Sequence, residues 1–402
     1  MFLSEYQQEM LDGKYGKGKA MAMQILEAVG DSFEAQRMVP ISRAHISLSA
    51  QDADVWFAEK MGGAGAVCAV PPTVNPGYCV DYFRSKGLLD EKAVAHMERT
   101  ERAYRRLGAV MTYSCTPYLF GNIPHYGEVV AFSETSVTVY ANSVIGARTN
   151  RESAASAMCA AITGFTPEYG MLLDENRRAD ILVEVQAEMR GDFDYALLGL
   201  LGKKIGKGVP VFQGLPRHIS TEGLIQLGSE LNVSGAYEMF HIVGVTPEAP
   251  DLKTAVGGRE LKRHVVITRE DLDQALEEFS PPLRSEVEFV ILGCPHYNYD
   301  QLRQVARLLE SGPAVVPVWI HTSSAVKDLA GRTGMEEALL EKGVELIPDT
   351  CVDEACCWKR LAGQAGVTDS PKASYYMRTF GVQMAVRDTE SCIRWAQRGR
   401  VE

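Results

Sequence analysis

Apolar, β-branched runs recur along this chain with helical patterns between them, and that alternation limits the fold more than any other feature. KGKAMAMQILEAVG (17–30) has helical apolar spacing and reaches Gly30, a natural C-cap. MVPISRAHI (38–46) then reads as a strand, DADVWFAEKMGG (52–63) as a helix and AGAVCAV (64–70) as a strand. A long helix over 91–107 leads into GAVMTY, and the pattern resumes with ADILVEV, a helix after Thr221, RHVVIT, VEFVIL, AVVPVWI and VELIP. Strands alternating with helices require right-handed crossovers, so the chain is expected to be α/β, with mostly parallel sheets carrying helices on their faces. No repeat or low-complexity tract interrupts the pattern.

At 402 residues, with 46% hydrophobic and 23% charged residues, the sequence has the balance of a globular protein. A single core rarely grows past about 250–300 residues, so two or three α/β subdomains are expected across 1–402, with breaks near 180 and 285. A formal net charge of −11 disfavours nucleic acid and anionic lipid as partners. No apolar run approaches the ~20 residues that span a bilayer. The opening MFLSEYQQEMLDGKYG lacks the basic and apolar regions of a signal peptide, which points to the cytoplasm.

Nine cysteines, an odd number without a compact framework, read as reduced thiols. Three of them share a position. Cys115 follows GAVMTY, Cys294 follows VEFVIL and Cys351 follows VELIP, each where a strand gives way to a loop. Ligand crevices of open α/β sheets form at that edge. Three thiolates suit zinc or an iron–sulfur centre and would leave a coordination position open for substrate. Strand position alone leaves the alternative that all three are buried core thiols. Cys68, Cys79, Cys159 and Cys392 fit that plainer description, and the adjacent pair Cys356 and Cys357 reads as structural, although it could be redox-sensitive or lend a ligand.

The stretch CTPYLFGNIPHYGEVVAFSETSVTVYANSVIGARTNRE (115–152) is the densest in polar side chains. Ser133 is positioned to N-cap a helix that begins at Glu134, continues through Val137, Tyr140 and Val144, and stops near Gly146. Arg148 and Arg151, with Asn150 between them, then leave a turn as forks suited to carboxylate or phosphate.

The ordered set CTPYL, GNIPHYGE, FSETSVTVYANSVIGARTNRE, TPEYG with LLDENRRA, GCPH and IPDTC resembles the large subunit of the aconitase X family, a divergent aconitase branch, over nearly the whole chain. The resemblance implies an aconitase-like fold around a central cleft and a hydro-lyase activity, with members acting as cis-3-hydroxy-L-proline dehydratases or phosphomevalonate dehydratases. It implies an iron–sulfur cluster (2Fe-2S or 4Fe-4S) or a mononuclear iron held by Cys115, Cys294 and Cys351. It places Ser133, Asn142, Ser143, Arg148, Asn150, Arg151 and Lys372 around the substrate, with Glu134, His125 and His296 as groups able to move protons. The family's small swivelling domain is missing from this sequence, so a separate small subunit is the expected partner, in a heterodimer. Dehydration of a hydroxy acid needs an electron-pair acceptor on the leaving hydroxyl and a base for the carbon-bound proton, which this set supplies. The substrate leaning is toward cis-3-hydroxy-L-proline, because the composition has a bacterial look.

Two other readings remain. A non-catalytic metal or cluster protein would close its site with a fourth residue such as Cys68 or Cys356. A nicotinamide oxidoreductase is weaker, since GGAGAV (62–67) lacks the Gly-x-Gly-x-x-Gly spacing that cradles a pyrophosphate.

Overall fold

A computed structural model of the chain describes residues 1–48, 52–282 and 285–401. Its strands form three parallel sheets and one short antiparallel pair. The first sheet runs Thr73–Val74, Arg43–Ile46, Val130–Phe132. Helices Lys17–Ser32, Asp52–Gly63, Glu91–Arg106 and Ala154–Thr163 belong to the same part of the chain, and Lys17–Ser32 packs on Ala154–Thr163. The second sheet has the order His241–Ile242, Pro210–Gln213, Ile181–Val185, Arg263–Ile267, and helix Thr221–Gly235 packs closely on Asp192–Leu200. The third, five-stranded, runs Val344–Pro348, Val318–Thr322, Phe289–Tyr297, Gly366–Thr368, Met384–Val386. The α/β reading is therefore correct, and no described helix is long and apolar enough to cross a membrane.

Every residue of Phe289–Tyr297 is buried, as a central strand covered on both faces must be. One face of this sheet shares a core with the first sheet's helices: Phe289, Ile291, Trp319, Ile347 and Trp358 belong to one apolar cluster with Met23, Leu26 and Met158. The other face packs its own helices through Val290, Leu292, Ile320, Leu346 and Trp395. The second sheet's core takes in Val130, Phe132, Val137 and Tyr140 from the first region. All three sheets are thus welded by apolar contact.

Several local expectations fail for identifiable reasons. MVPISRAHI is two strands: Met38–Pro40 pairs antiparallel with Phe165–Pro167, and Arg43–Ile46 joins the parallel sheet. AGAVCAV forms no strand; its Cys68 and Val70 amides bond to the carbonyls of Leu107 and Ala161, at the ends of helices. GAVMTY makes only an isolated bridge, Val110 to Thr73, at the open edge of a two-residue strand. Helix 17–32 passes through Gly30, whose missing side chain admits Met1 and Pro167. Glu134, not Ser133, caps the helix that follows it.

Gly293, inside the central strand, has φ +92, and a Cβ there would lie 2.3 Å from the carbonyl oxygen and 2.8 Å from the nitrogen of His321. Backbone cannot yield as a side-chain tip would. Gly293→Ala is therefore expected to cost at least ~2 kcal/mol, combining left-handed strain with overlap. A urea midpoint unchanged from the parent would show that the strand accommodates the methyl group.

Candidate active site

The three thiols predicted to converge do so. Cys294 lies toward the carboxyl end of the central strand, Cys351 follows strand Val344–Pro348, and Cys115 sits in the loop beyond helix Glu91–Arg106. Backbone bonds fix these segments together: the His296 amide donates to Cys115 Sγ at 3.2 Å, the Cys351 amide to the Gly77 carbonyl at 2.8 Å, and the Cys79 amide to Thr350 Oγ1 at 3.0 Å. Cys115, Cys294 and Cys351 line one cavity of about 1000 Å³, together with Glu134, His296, Lys372, Asn75, Asp353 and Glu354.

All nine cysteines are free. Burial pushes the thiols of Cys115 and Cys294 up to about 12, with Lys372 pulling the other way, and burial raises Cys351 as well. Such thiols are poor anions until a cation stands beside them. Among the described residues no three His, Cys, Asp or Glu side chains are spaced to hold a single metal ion. Three soft thiols on one cavity have the donor chemistry that zinc or an iron–sulfur group takes.

The same cavity holds a buried ion pair. Lys372 Nζ donates to Glu134 Oε1 at 2.9 Å, with the two side chains 8% and 7% exposed. Glu134 has φ +101, a conformation that costs a non-glycine residue about 1–3 kcal/mol. That backbone lets Oε2 accept from the Ser136 and Val137 amides at 2.8 and 3.0 Å, so one carboxylate both caps its helix and holds the lysine. Burial works against ionisation of Glu134, but Lys372 and these donors outweigh it and hold the carboxyl below its ordinary value. Burial likewise opposes the Lys372 cation, and Glu134 more than compensates. Behind Lys372, Glu230 accepts from the Lys372 amide at 2.9 Å. Its other oxygen has no partner, and burial drives this carboxyl up to about 8, so it stands protonated at neutral pH.

His296 Nε2 lies 3.0 Å from the Thr350 carbonyl, and His321 Nδ1 lies 2.7 Å from the same oxygen. A carbonyl only accepts, so these nitrogens carry the protons. His296 Nδ1 and His321 Nε2 are left without partners. Burial pushes the two imidazoles down to about 4 and about 3, hence neutral.

The remaining predicted residues lie outside the cavity lining. Ser133 Oγ supports the wall, accepting from the Ser47 amide at 2.6 Å and donating to the His45 carbonyl. Asn142 Nδ2 donates to the carbonyls of Thr149 and Glu238, and Ser143 Oγ accepts from the Phe240 amide, which ties the π-helical turn Ala141–Ile145 to the second sheet. Arg148 bonds to the Leu172 carbonyl and to Asp174. Asn150 Oδ1 accepts from the Met171 amide, while Arg151 and His125 are exposed. The ARTNRE motif here secures a turn against the TPEYGMLLDENRR segment.

Sequence reasoning overlooked Glu230, His321, Thr350 and Asp353. Glu230 had a signal: it interrupts the apolar run of TEGLIQLGSELNVSG, a helix that is buried from Gly223 to Asn232. Ser370 had another, since DSPK places an N-cap before a proline, and the serine works against the burial that raises the Cys294 thiol.

Sequence models of the aconitase X first, second and third domains match residues 1–175, 179–277 and 287–398. The phosphomevalonate dehydratase large subunit of Thermococcus kodakarensis is 35% identical, across 98% of this chain and 100% of its own length. That of Methanothermobacter thermautotrophicus is 36% identical, across 98% of both. The cis-3-hydroxy-L-proline dehydratase of Pseudomonas aeruginosa is 34% identical, across 99% of this chain and 70% of its own length. The crystal structure of Thermococcus kodakaraensis aconitase X in its holo form superimposes with a TM-score of 0.89 at 34% identity, covering 98% of this chain and 100% of that one.

Removing Lys372 leaves Glu134 charged and buried, so Lys372→Met is expected to cost about 3–5 kcal/mol at pH 7, and adding Glu134→Gln to recover part of it. Equal stabilities by denaturant unfolding in the single and double variants would dissolve the pair. Glu230 titrates the other way. Its folded value lies above the unfolded one, so its contribution is full below the ordinary 4.5 and is lost as pH rises toward about 8. Glu230→Gln should thus gain stability relative to the parent between pH 5 and pH 8; parallel pH profiles would contradict this.

Proposed function

The chain belongs to the aconitase X family, and on that premise we propose that it is the large subunit of a dehydratase acting on cis-3-hydroxy-L-proline. The observation that carries the reading is the convergence of three thiols from distant segments on a cavity that also holds one buried lysine. Relatives of this family are named as dehydratases, and the chain is accordingly a hydro-lyase. Cys115, Cys294 and Cys351 would hold an iron–sulfur cluster. When bound, that group supplies an electron-pair acceptor for the departing hydroxyl.

This chain's own side chains prepare the substrate. Lys372 presents an ammonium to the substrate carboxylate, and Glu134 fixes its direction while keeping it charged. Both Glu134 oxygens are engaged, so Glu134 positions the lysine and does not take the proton itself. His296 is the acceptor: Thr350 holds its Nε2 proton, and Nδ1, buried without a partner, is the nitrogen left to take one. The apolar shell of Leu48, Tyr78 and Val352 limits water around the reacting carbons.

Charge separates the two substrates that the relatives' names offer. Asp52, Asp90, Glu134 and Asp353 line the cavity, with Glu354 pushed up to about 8 by burial and so protonated at neutral pH, against the cations Lys92, Arg99 and Lys372. Arg99 is already paired with Glu59, and Lys372 and Glu134 cancel in charge, which leaves Asp52, Asp90 and Asp353 against Lys92. A wall with surplus carboxyl groups suits a substrate carrying one carboxylate and one ammonium, as a hydroxyproline does, better than one carrying a carboxylate and a phosphate. The second reading, mevalonate 5-phosphate, is supported by the relatives of that name, which this chain matches over 98–100% of their length.

The partner is proposed to be a separate small subunit, in keeping with the "large subunit" of those names. The pair is proposed to work in the cytoplasm, where thiols stay reduced.

Anaerobic co-purification with that subunit, iron and sulfide analysis and assay on both substrates test the proposal. Cys294→Ser is expected to lose the metal and at least ~100-fold in activity while keeping the parent's unfolding midpoint. Full metal content in this variant would remove Cys294 from the ligand set. Turnover of mevalonate 5-phosphate alone would reverse the substrate choice.

A further inference from the structure

Cys356 and Cys357 play no part in the chemistry above, yet they stand on the same cavity. Cys356 lines it, as do Cys115, Cys294 and Cys351. Of the nine cysteines Cys356 alone is exposed, whereas Cys357 is 1% exposed. Their sulfurs are 3.8 Å apart, in thiol hydrogen-bond contact. That contact, in which either sulfur can donate, is the leading cause that holds the Cys356 thiol below its ordinary value. The pair thus combines an accessible, activated sulfur with an adjacent buried one, the arrangement of an attacking and a resolving thiol.

We propose that Cys356 and Cys357 are an oxidant-sensitive dithiol on the wall of the cavity, closed to a vicinal disulfide by a hydroperoxide and reopened by a small thiol. Cys356 sulfur attacks the peroxide oxygen, breaking the O–O bond and giving a sulfenic acid and water. Cys357 sulfur then attacks that sulfur and expels a second water. Two thiols and hydrogen peroxide become one disulfide and two waters, and two equivalents of a reducing thiol reverse it.

Closure has a structural consequence. Neighbouring α-carbons are about 3.8 Å apart across a trans peptide, below the roughly 4.4–6.8 Å that a relaxed disulfide spans. The four-residue helix Ala355–Trp358 must therefore rearrange. Its last residue, Trp358, is fully buried and stacks edge-on against Phe83 at 5.5 Å and tilted over His321 at 5.1 Å. Oxidation is transmitted by this ring to the histidine that shares the Thr350 carbonyl with His296. A strained disulfide of this kind is readily reduced, as a reversible guard requires.

The test uses the co-purified, metal-loaded complex, treated with stoichiometric hydrogen peroxide under argon. Differential alkylation and peptide mapping are expected to find Cys356 and Cys357 linked to each other, with a shift in tryptophan emission that dithiothreitol reverses. Activity should fall at least ~3-fold relative to the untreated sample and return with the thiols, while Cys356→Ser shows neither the link nor the reversible loss, each relative to its own untreated state. Cys356 oxidised without linkage, linked to Cys351, or unmodified while Cys115, Cys294 or Cys351 oxidise would overturn the proposal. So would linkage without change in emission or activity. The mapping does not depend on the substrate, so failure of the dehydratase reading, seen as no turnover of either compound, is distinguishable from failure of this one.

Discussion

A single ion pair sets the terms for this cavity. Lys372 and Glu134 have both left water, a cost of several kcal/mol per ion that their mutual attraction only roughly repays. The pair persists because its surroundings supply the difference: two helix amides and a hydroxyl serve Glu134, and Glu230 takes the Lys372 amide. These three side chains come from three regions of the chain, the segment beyond the first sheet, helix Thr221–Gly235 and helix Pro371–Met377. The pair therefore specifies how the regions dock more than it stabilises any one of them. The unusual backbone of Glu134 is the cost of reaching both partners at once.

From that docking the remainder of the site follows. Once the first and third regions are held together, the Gly77 carbonyl can receive Cys351, and the His296 amide can reach Cys115. The Thr350 carbonyl, at the same seam, orders two imidazoles by accepting both of their protons. Charge around the ion pair and the three thiols is thereby paired or neutral: a salt-linked carboxylate, a protonated Glu230, uncharged histidines and uncharged thiols. The thiols are the one set whose ionisation awaits a cation from outside.

Much of this was legible in the chain. The alternation of apolar runs and helical patterns announces parallel sheets, and the repeated strand-then-cysteine pattern picks out three thiols that do share a cavity. AGAVCAV and GAVMTY show the limit, because an apolar run secures neither burial nor a pairing partner by itself. Val67 and Val110 are exposed, and the neighbouring helix ends and a two-residue strand leave few amides to pair with. Cys115 reaches the cavity all the same, drawn by the His296 amide. ARTNRE shows another limit. Arginine and asparagine suited to an anion are equally suited to carbonyls and aspartate of a neighbouring turn, and only the fold tells which is nearer. Glu230 and His321 were only half legible for the opposite reason, since a polar residue within an apolar run declares a buried partner without naming it.

The bonds that close the cavity join residues far apart in the chain: 181 positions between Cys115 and His296, 238 between Glu134 and Lys372, and 271 between Cys79 and Thr350. Contacts of such separation pay their loop-closure entropy before they return anything, so they form late. During synthesis Cys115 and its sheet leave the ribosome long before the strand that carries Cys294 exists. The proposed ligand set would consequently be the last thing the chain assembles. Insertion of a metal group would then belong after folding, at the moment when the third sheet docks, and a chain that stalls before then exposes its thiols singly to whatever cellular chemistry meets them.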